Sequence, residues 1–404
     1  MTGPDIGGGA DLRNEYSDRV LSPEETFERV RPLLSGFGIT RIARHTGLDR
    51  TGIPVWCAYT PNARSIVVAQ GKGLTDAEAK VSAVMEALER AVAGEPAVET
   101  IMATTRALRA SGRTADPLPG LIAAGQEEIG PEEELPWAAG SDLISGREVL
   151  VPLAAALLDR TRPSRFWMSS DGLASGNSIQ EATLHGLLER IERDAHVLWG
   201  VSGPESRYRQ CVAPEGFGDA ALNSLVERIR AAGLDLRLFD ITSDIGIPCF
   251  LALLGPSDIA IRDDGRFVDV TSGCGAHVFA VRAAIRAVTE AAQSRLTFMS
   301  GARDDVFPET FSRPLPDSTR QAVLAGPCRH APAAPPAGGD LDALMRHTID
   351  HLKDAGVQSA IVVRLSAEAL PFAVVKIFVP DLENPDGERA RRFGPRALSK
   401  ALAF

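Results

Sequence analysis

The chain has 404 residues, of which 44% are hydrophobic and 24% are charged, and its formal net charge is -10. This composition is that of a globular protein long enough to bury a sizeable core, and the acidic balance argues against a general nucleic-acid binder. No apolar run approaches the roughly 20 residues that cross a bilayer, so no membrane span is expected.

The five cysteines are scattered and form no Cys-x-x-Cys pair. An odd number of unpaired cysteines suits a reducing compartment, and their spacing gives no zinc framework. The N-terminus lacks the basic start and the apolar core of a signal peptide. We therefore expect a cytoplasmic protein.

The first half of the chain alternates between strand and helix patterns. Residues 1–18 are Gly-rich and polar, which predicts a disordered tail. Ser22, Pro23 and Glu25 then form the start signal of a helix, with a capping box. "IPVWCAYT" and "RSIVVAQG" read as strands joined by a turn, and a helix covers about residues 75–93.

The second half continues the alternation. "SSDGLASGNS" is a Gly/Ser-rich stretch, expected to be a flexible loop, before a helix at about 178–199. "TSGCGAHV" leads into a third helix at about 278–298. These patterns predict an α/β (α+β mixed) fold with mixed sheets, a body at 19–380 and a C-terminal tail at 381–404.

Three helices share one design. Each has an apolar stripe at helical spacing, which predicts burial against a sheet or another helix. The stripes are Val81, Val84, Met85, Leu88 and Val92 in the first helix, Leu184, Leu187, Leu188, Ile191, Ala195 and Leu198 in the second, and Ile285, Val288, Ala292 and Leu296 in the third. The near-equal spacing of the helices suggests an internally repeated architecture.

Acidic residues border each stripe on the same flank. Glu86 and Glu89 lie there on the first helix, Glu189 and Glu192 on the second, and Glu290 on the third. Carboxylates three residues apart on a half-buried flank repel one another unless a cation lies between them. All-oxygen sites of this kind suit Mg²⁺ bound together with phosphate oxygens. A single Glu-x-x-Glu-Arg would more often form weak surface ion pairs, but three copies in one phase favour the metal interpretation.

A Gly-rich element precedes each of these helices. "QGKGLT", at residues 70–75, is expected to expose backbone N–H groups at a helix N-terminus as an anion site, with Lys72 adding positive charge. It lacks the spacing of a Walker A motif.

Taken together, three stretches resemble the signature blocks of the YcaO superfamily. They are "GKGLTDAEAKVSAVMEALER", "GLASGNSIQEATLHGLLERIERDA" and "GAHVFAVRAAIRAVTEAAQSRLTFMSGARDD". The resemblance runs from about residue 20 to about residue 380. It implies a fold that binds ATP and Mg²⁺ without a Walker motif, and enzymes that activate a peptide backbone amide by phosphorylating its oxygen.

Position by position, the resemblance implies a set of site residues. Glu86, Glu89, Glu189 and Glu192 are expected to hold Mg²⁺, and the helix pattern adds Glu290. Arg193 and Arg286 are expected to clamp phosphates. The remaining nucleotide contacts are expected from Arg19, Thr26, Ser82, Arg90, Asn177 and Glu181, and the Gly-rich stretch adds Lys72. Arg19 and Thr26 stand where the family often has Lys and Ser, and Asp171 replaces a usual Asn.

The chain ends "GPRALSKALAF", without the Pro-rich tail that azoline-forming members usually have. It resembles more closely the members partnered with TfuA-type proteins, which are associated with backbone thioamidation of a precursor peptide or protein. We therefore expect a TfuA-like partner and a homodimer. Two alternatives stay open: an azoline-forming cyclodehydratase, and a non-catalytic nucleotide-binding accessory protein.

Overall fold

The structure is a computed structural model that describes residues 16–332 and 340–403. The N-terminal part is a three-stranded antiparallel sheet with two helices. Its elements are α1 (Pro23–Val30), β1 (Arg41–Arg44), β2 (Val55–Tyr59), β3 (Val68–Lys72) and α2 (Asp76–Gly94). Helix α2 packs on β2 and β3, and α1 packs on α2. The predicted capping box between Ser22 and Glu25 is confirmed.

A six-stranded sheet begins in the next segment and is completed near the C-terminus. Its elements here are β4 (Thr100–Ala103), α3 (Thr105–Ala110), β5 (Leu135–Asp142), β6 (Glu148–Pro152), α4 (Leu153–Ala156) and β7 (Leu173–Gly176). The long helix α5 (Ile179–Val201) follows at once and packs on β7. The stretch expected as a flexible loop before this helix therefore contains a buried strand.

A four-stranded sheet forms the third layer. Its elements are α6 (Pro204–Tyr208), β8 (Cys211–Val212), α7 (Ala220–Ala231), β9 (Leu234–Asp240), β10 (Cys249–Pro256), β11 (Thr271–Ala276) and α8 (Ala280–Ser300). Helix α8 packs on β10 and β11. The same two strands also contact α5, which packs on β7 of the six-stranded sheet. Helix α5 is thus enclosed between the two larger sheets.

The C-terminal segment returns to the six-stranded sheet. Its elements are α9 (Pro308–Ser312), α10 (Asp317–Val323), α11 (Leu341–Asp354), β12 (Ile361–Arg364), β13 (Ala373–Phe378) and α12 (Pro395–Leu402). Strands β12 and β13 complete the order β4-β5-β12-β13-β7, and β6 pairs with β5. Helix α12 packs on α5, so the predicted C-terminal tail is folded onto the body of the protein.

The predicted fold class is confirmed, with one correction. Every ladder between the named strands of the described chain is antiparallel, so the sheets are not mixed in strand direction. Hairpins such as β2–β3 and β9–β10 impose this direction, because a short turn can join only antiparallel strands. None of the helices in the described residues has the length and apolar character that a bilayer span requires.

The three stripes are buried as predicted, with Val81 only partly covered. Three times, a short strand leads directly into the helix that packs on it: β3 into α2, β7 into α5 and β11 into α8. Glycines in these strands make the packing possible. A Cβ added at Gly71, Gly176, Gly273 or Gly275 would lie less than 3.0 Å from backbone atoms of the following helix. The helix and strand backbones are therefore in direct contact.

The N-terminal end of the folded body differs from the predicted boundary at residue 19. Residues 1–15 of the expected disordered tail lie outside the described residues, whereas Tyr16 and Asp18 contact the folded body. The Tyr16 hydroxyl donates to Asp219 at 2.6 Å, and Asp18 lies 3.6 Å from His277.

Candidate functional site

Helices α2, α5 and α8 direct their acidic flanks at one cavity of about 520 Å³, which we name the charged cavity. Its lining includes Glu86, Glu89, Glu189, Glu192 and Glu290. The acids predicted on matching flanks of the three helices therefore face the same cavity. Each helix also lies against its own strand through a close glycine contact, which brings the backbones of helix and strand together.

Basic side chains line the same cavity and pair with the acids. Arg90 lies 2.8 Å from Glu86, one turn earlier on α2. Arg193 lies 3.2 Å from both Glu189 and Glu192. On the opposite side, Lys72 at the end of β3 forms an ion pair with Glu290 of α8. Arg19, Ser82 and Arg286, which were also predicted to be site residues, line the same cavity.

Three of the acids that line the charged cavity have raised pKa values, because the surrounding protein disfavours their charged forms. Burial raises the pKa of Glu89 well above its ordinary value, and the charges of Glu86 and Glu189 raise it further. Burial raises the pKa of Glu189 to about 7, although Arg193 opposes the shift. Burial also raises the pKa of Glu192. These carboxyl groups are thus partly deprived of the water that would stabilise their charge.

Glu290 behaves in the opposite way because its basic partners are closer. Burial alone would raise its pKa, but Lys72 and Arg193 outweigh that effect and lower it. His185, which also lines the cavity, has its pKa lowered well below the ordinary value by burial and then by Arg19. It is therefore a neutral imidazole at physiological pH.

The donor set fits a hard divalent cation. Five glutamates around one cavity supply oxygen ligands only, and the pKa of Glu89, raised by burial and then by Glu86 and Glu189, marks a carboxylate whose charge a cation would stabilise. In residues 16–332 and 340–403, no three acidic, histidine or cysteine side chains already stand close enough to share one metal ion. The acids are held by arginine and lysine instead, so binding a metal requires these ion pairs to rearrange.

A second cavity of about 300 Å³ adjoins the first, and we name it the N-terminal cavity. The two adjoin, and we call them together the cleft, because they share five lining residues: Arg19, Lys72, Ser82, Met85 and Arg286. Thr26 and Glu181 line the N-terminal cavity, together with apolar side chains such as Leu74, Val81 and Ile285. A cleft with one charged and one half-apolar compartment has the division that a nucleotide needs.

Glu181 is fully buried and is the centre of a hydrogen-bond network at this cavity. It accepts from the Arg19 guanidinium at 2.7 Å, from the backbone N–H of Val20 at 3.1 Å and from the Asn177 amide at 3.4 Å. Thr26 in turn donates to Asn177 at 3.2 Å. The structure thus brings all four predicted residues together, although Asn177 lines neither cavity and reaches the cleft through Glu181.

The expected anion site at "QGKGLT" needs correction. The backbone N–H groups of Leu74 and Thr75 donate to the Glu78 carboxylate at 2.7 and 3.4 Å, because α2 begins with a capping box. These donors are therefore taken by the chain itself. Of the stretch, Lys72 is the residue whose charge reaches the charged cavity.

Three charged lining residues were not predicted. Arg303 and Asp305 form a two-point ion pair at 2.8 and 2.6 Å, and Arg160 joins them at the cavity. All three lie in irregular segments, where no periodicity relates a side chain to a face. The only sequence signal was the position of Arg303 and Asp305 in the third quoted block, directly after its helix.

Comparisons with known sequences agree with this geometry. A family model described as YcaO cyclodehydratase, ATP- and Mg²⁺-binding, matches residues 70–383. A protein of the tfuA 3′ region of Rhizobium leguminosarum bv. trifolii is 40% identical over 395 residues, covering 96% of this chain and 93% of its own. A Methanothermobacter thermautotrophicus protein is 33% identical, covering 93% of this chain and 98% of its own.

Solved structures show the same fold. A heterocyclase in complex with substrate and cofactor superposes with a TM-score of 0.72 at 21% identity, over 91% of this chain. The chain spans about half, 53%, of that heterocyclase. YcaO from Methanopyrus kandleri, bound with AMPPCP and Mg²⁺, superposes with a TM-score of 0.66 at 22% identity, over 90% of this chain and 92% of its own.

Proposed function

Because the chain belongs to the YcaO family of ATP- and Mg²⁺-binding proteins, we propose that it activates a peptide backbone amide by phosphorylating the amide oxygen. The product that we propose is a thioamide in a ribosomally made peptide or protein. The observation that carries the proposal is the convergence of five glutamates from three separate helices on one cavity beside a half-apolar cavity.

We assign the nucleoside to the N-terminal cavity and the phosphates to the charged cavity. The shared residues Arg19, Lys72 and Arg286 then lie at the junction, where the phosphate chain would pass. Arg193 is half-buried among acids that keep it fully charged, since desolvation would lower its pKa but Glu192 and Glu189 raise it. An arginine held in this way can donate to phosphate oxygens with little loss of side-chain freedom.

The five glutamates would hold Mg²⁺, which when bound neutralises phosphate charge. The chain's own contribution is positioning and charge, because phosphoryl transfer needs few covalent groups from the protein. Arg193 and Arg286 would orient the transferred phosphoryl group. Neutral His185 adds no competing charge beside them. None of these roles requires a side-chain nucleophile.

The proposed reaction balances in three steps. A hydrosulfide-class sulfur nucleophile adds to the amide carbon, and the carbonyl oxygen becomes an oxyanion. That oxygen attacks the γ-phosphorus of ATP, so ADP leaves. The C–O bond then breaks, phosphate departs with the bonding pair, and loss of the sulfur-bound proton leaves a C=S bond. An amide carbonyl needs such activation because its oxygen is otherwise a poor leaving group.

Two observations support thioamide formation over ring closure. The relative from Rhizobium leguminosarum bv. trifolii lies in a tfuA 3′ region, and helix α12 is packed on α5, away from the charged cavity's lining. We therefore propose a TfuA-like partner and a homodimeric, cytoplasmic enzyme. The free thiols of Cys57, Cys211, Cys249, Cys274 and Cys328 are consistent with that reducing compartment.

The test is a reconstitution of the chain with a TfuA-like protein and a short precursor peptide encoded beside it, with ATP, Mg²⁺ and sulfide. ADP release and the peptide mass are followed together. We expect exchange of one oxygen for one sulfur per ADP formed. Loss of one water from the peptide would establish azoline formation instead. Tight Mg–nucleotide binding with no ADP from any such mixture would establish the accessory role.

A further inference from the structure

A third cavity, of about 370 Å³, lies on the other side of the segment that walls the charged cavity, and we name it the acceptor cavity. Trp167 and Ser169 line both cavities, so the two spaces adjoin. The remaining lining comes mainly from the end of β13 and the segment that leads to α12. Its volume falls within the range of small-ligand sites.

The shared wall is fixed by a buried lysine. Lys376 of β13 is 6% exposed, and its ammonium donates to the backbone oxygens of Ser169 and Asp171 at 2.7 and 2.6 Å. Asp171 is also held by an ion pair with Arg190 of α5. These contacts hold the wall to two long elements, so the boundary between the cavities is a built feature.

The charged groups of the acceptor cavity are paired within the chain. The Arg389 guanidinium donates to the backbone oxygens of Asn384, Pro385 and Arg392. The Glu383 carboxylate accepts from two backbone N–H groups at the start of α12. The rest of the surface is largely apolar, with Leu118, Leu121, Phe378, Val379, Phe393 and Leu398. An occupant therefore needs no net charge, and apolar contact favours it.

Two further features mark the cavity as more than a packing gap. Asp171 Oδ1, an acceptor, and Arg389 Nε, a donor, are buried without a hydrogen-bond partner in the described chain, which is costly. A peptide group carries one N–H and one C=O, and so has the donor and the acceptor that these two atoms lack. Leu118 has a left-handed backbone, with φ 51° and ψ 55°, a strained conformation that concentrates at functional sites.

We propose that the acceptor cavity binds the polypeptide being modified, with a neutral apolar side chain next to the activated amide seated in it. This inference rests on the proposed function, and it adds the entry side and the chemical preference of the acceptor. Lys376 is then a positioning residue, because it holds the segment of Ser169 and Asp171 beside which the acceptor side chain is seated.

The test uses a glycine whose side chain would grow into the cavity. Gly120 lines it, lacks a positive φ, and an added Cβ would meet only Asn384 at 3.9 Å. Gly120→Leu therefore fills the space without forcing the backbone. Gly326→Leu is the matched control, since an added Cβ there meets nothing within 4 Å and the residue lies outside the three cavities.

The probes are the capped peptides acetyl-Gly-Leu-Gly-amide and acetyl-Gly-Ser-Gly-amide, and their binding to the full chain is measured by saturation-transfer NMR. We expect the leucine peptide to receive more saturation than the serine peptide. Gly120→Leu should abolish the difference and Gly326→Leu should preserve it. Equal saturation of the two peptides, or a leucine signal that Gly120→Leu leaves intact, overturns the proposal.

A second readout tests the connection to the charged cavity. Mn²⁺ with AMPPCP, a paramagnetic stand-in for Mg–nucleotide, should broaden the leucine-peptide signals in the wild-type chain. Nucleotide binding is measured separately by calorimetry, in both glycine variants as well. If AMPPCP binds without broadening the bound peptide, the acceptor role fails. If AMPPCP does not bind at all while the peptide still does, the proposed ATP-dependent function fails and the peptide site stands.

Discussion

Burial raises the pKa of Glu189 to about 7 from an ordinary value of 4.5, although Arg193 opposes the shift. The folded chain therefore holds this proton more tightly than the unfolded chain does. Between those two pKa values, stability declines as the pH rises, and the favourable contribution of the protonated group is lost as pH passes about 7.

The affinity for Mg–nucleotide should depend on pH in the opposite direction, because binding needs the ionised carboxylate of Glu189. We predict that Mg–AMPPCP binds more tightly at about pH 8 than at about pH 6, as measured by calorimetry. Glu189→Gln should remove much of that difference while circular dichroism stays unchanged. A wild-type affinity that does not change across this range would contradict the assignment of Glu189 to the cation site.

Glu86 and Glu192 belong to different helices, yet we expect the same result from removing either. Glu86→Ala or Glu192→Ala should abolish ADP release, because each removes an oxygen ligand that no neighbour replaces. The melting temperature should change little, since flank acids contribute little to the core. Glu205→Ala is the control, because that side chain is 80% exposed on α6. Full activity in both cluster variants would refute the metal assignment.

At the scale of elements, the contact between strand and helix backbones determines where the acids point. Gly273 of β11 lies against α8, and a Cβ there would come within 3.0 Å of the backbone of Ala291 and Ala287. We predict that Gly273→Ala lowers the unfolding free energy by about 1–3 kcal/mol, since the helix must move outward. Urea unfolding measures this loss.

The control for that measurement is Gly326→Ala, where an added Cβ meets nothing within 4 Å. The same displacement should weaken Mg–AMPPCP binding, because Glu290 and Arg286 move with α8. If Gly273→Ala were as stable as the wild type, the close packing of α8 on β11 would not determine the position of that helix.

Helical periodicity is the part of this site that the sequence predicts well. The spacing of Glu86, Glu89, Glu189 and Glu192 along their stripes was enough to place all four on one side of their helices. The glycines were harder to interpret, because a flexible anion-binding loop and a close strand–helix contact use the same residue. Only the spatial partner of Gly71, the backbone of α2, distinguishes them.

The C-terminal helix α12 is attached to α5 by a buried ion pair. Arg396 donates two hydrogen bonds to Asp194 at 2.9 Å each, and Asp194 is completely buried. Arg396→Ala would leave that carboxylate without its charged partner, so we predict a loss of about 3 kcal/mol in the unfolding free energy. Arg391→Ala, at an exposed ion pair, should cost far less. Equal losses from the two variants would contradict this difference.

At the scale of the whole molecule, the cleft is assembled from parts of three sheets. Helix α2 belongs to the first, α5 to the six-stranded sheet and α8 to the four-stranded one. A ligand that contacts all three should therefore stabilise the native assembly as a unit. We predict a clear rise in melting temperature with Mg²⁺ and AMPPCP together, and a much smaller rise with either alone. Calorimetric scans measure it, and equal shifts from AMPPCP alone would count against a shared metal–nucleotide site.

The order of the sheets and the ion pairs within the cleft were beyond the reach of sequence patterns. Strand β7 pairs with β13, almost 200 residues later, and nothing local in either strand specifies that partner. The approach of Lys72 to Glu290 depends on how two separate sheets meet. Long-range pairing of this kind is decided by the packing of the complete chain, which no single periodic segment contains.

The position of Arg193 between Glu189 and Glu192 has a consequence for how the cleft is loaded. This guanidinium is covalently part of the chain, so it competes with any divalent ion for the two carboxylates at a high local concentration. A divalent ion that binds without phosphate must displace the Arg193 guanidinium, which is then left without an anionic partner. When phosphate arrives together with the ion, the displaced guanidinium finds a new anion at once. We therefore expect the ion and the phosphate to bind together rather than in sequence, and divalent ions alone to fill the cleft only weakly.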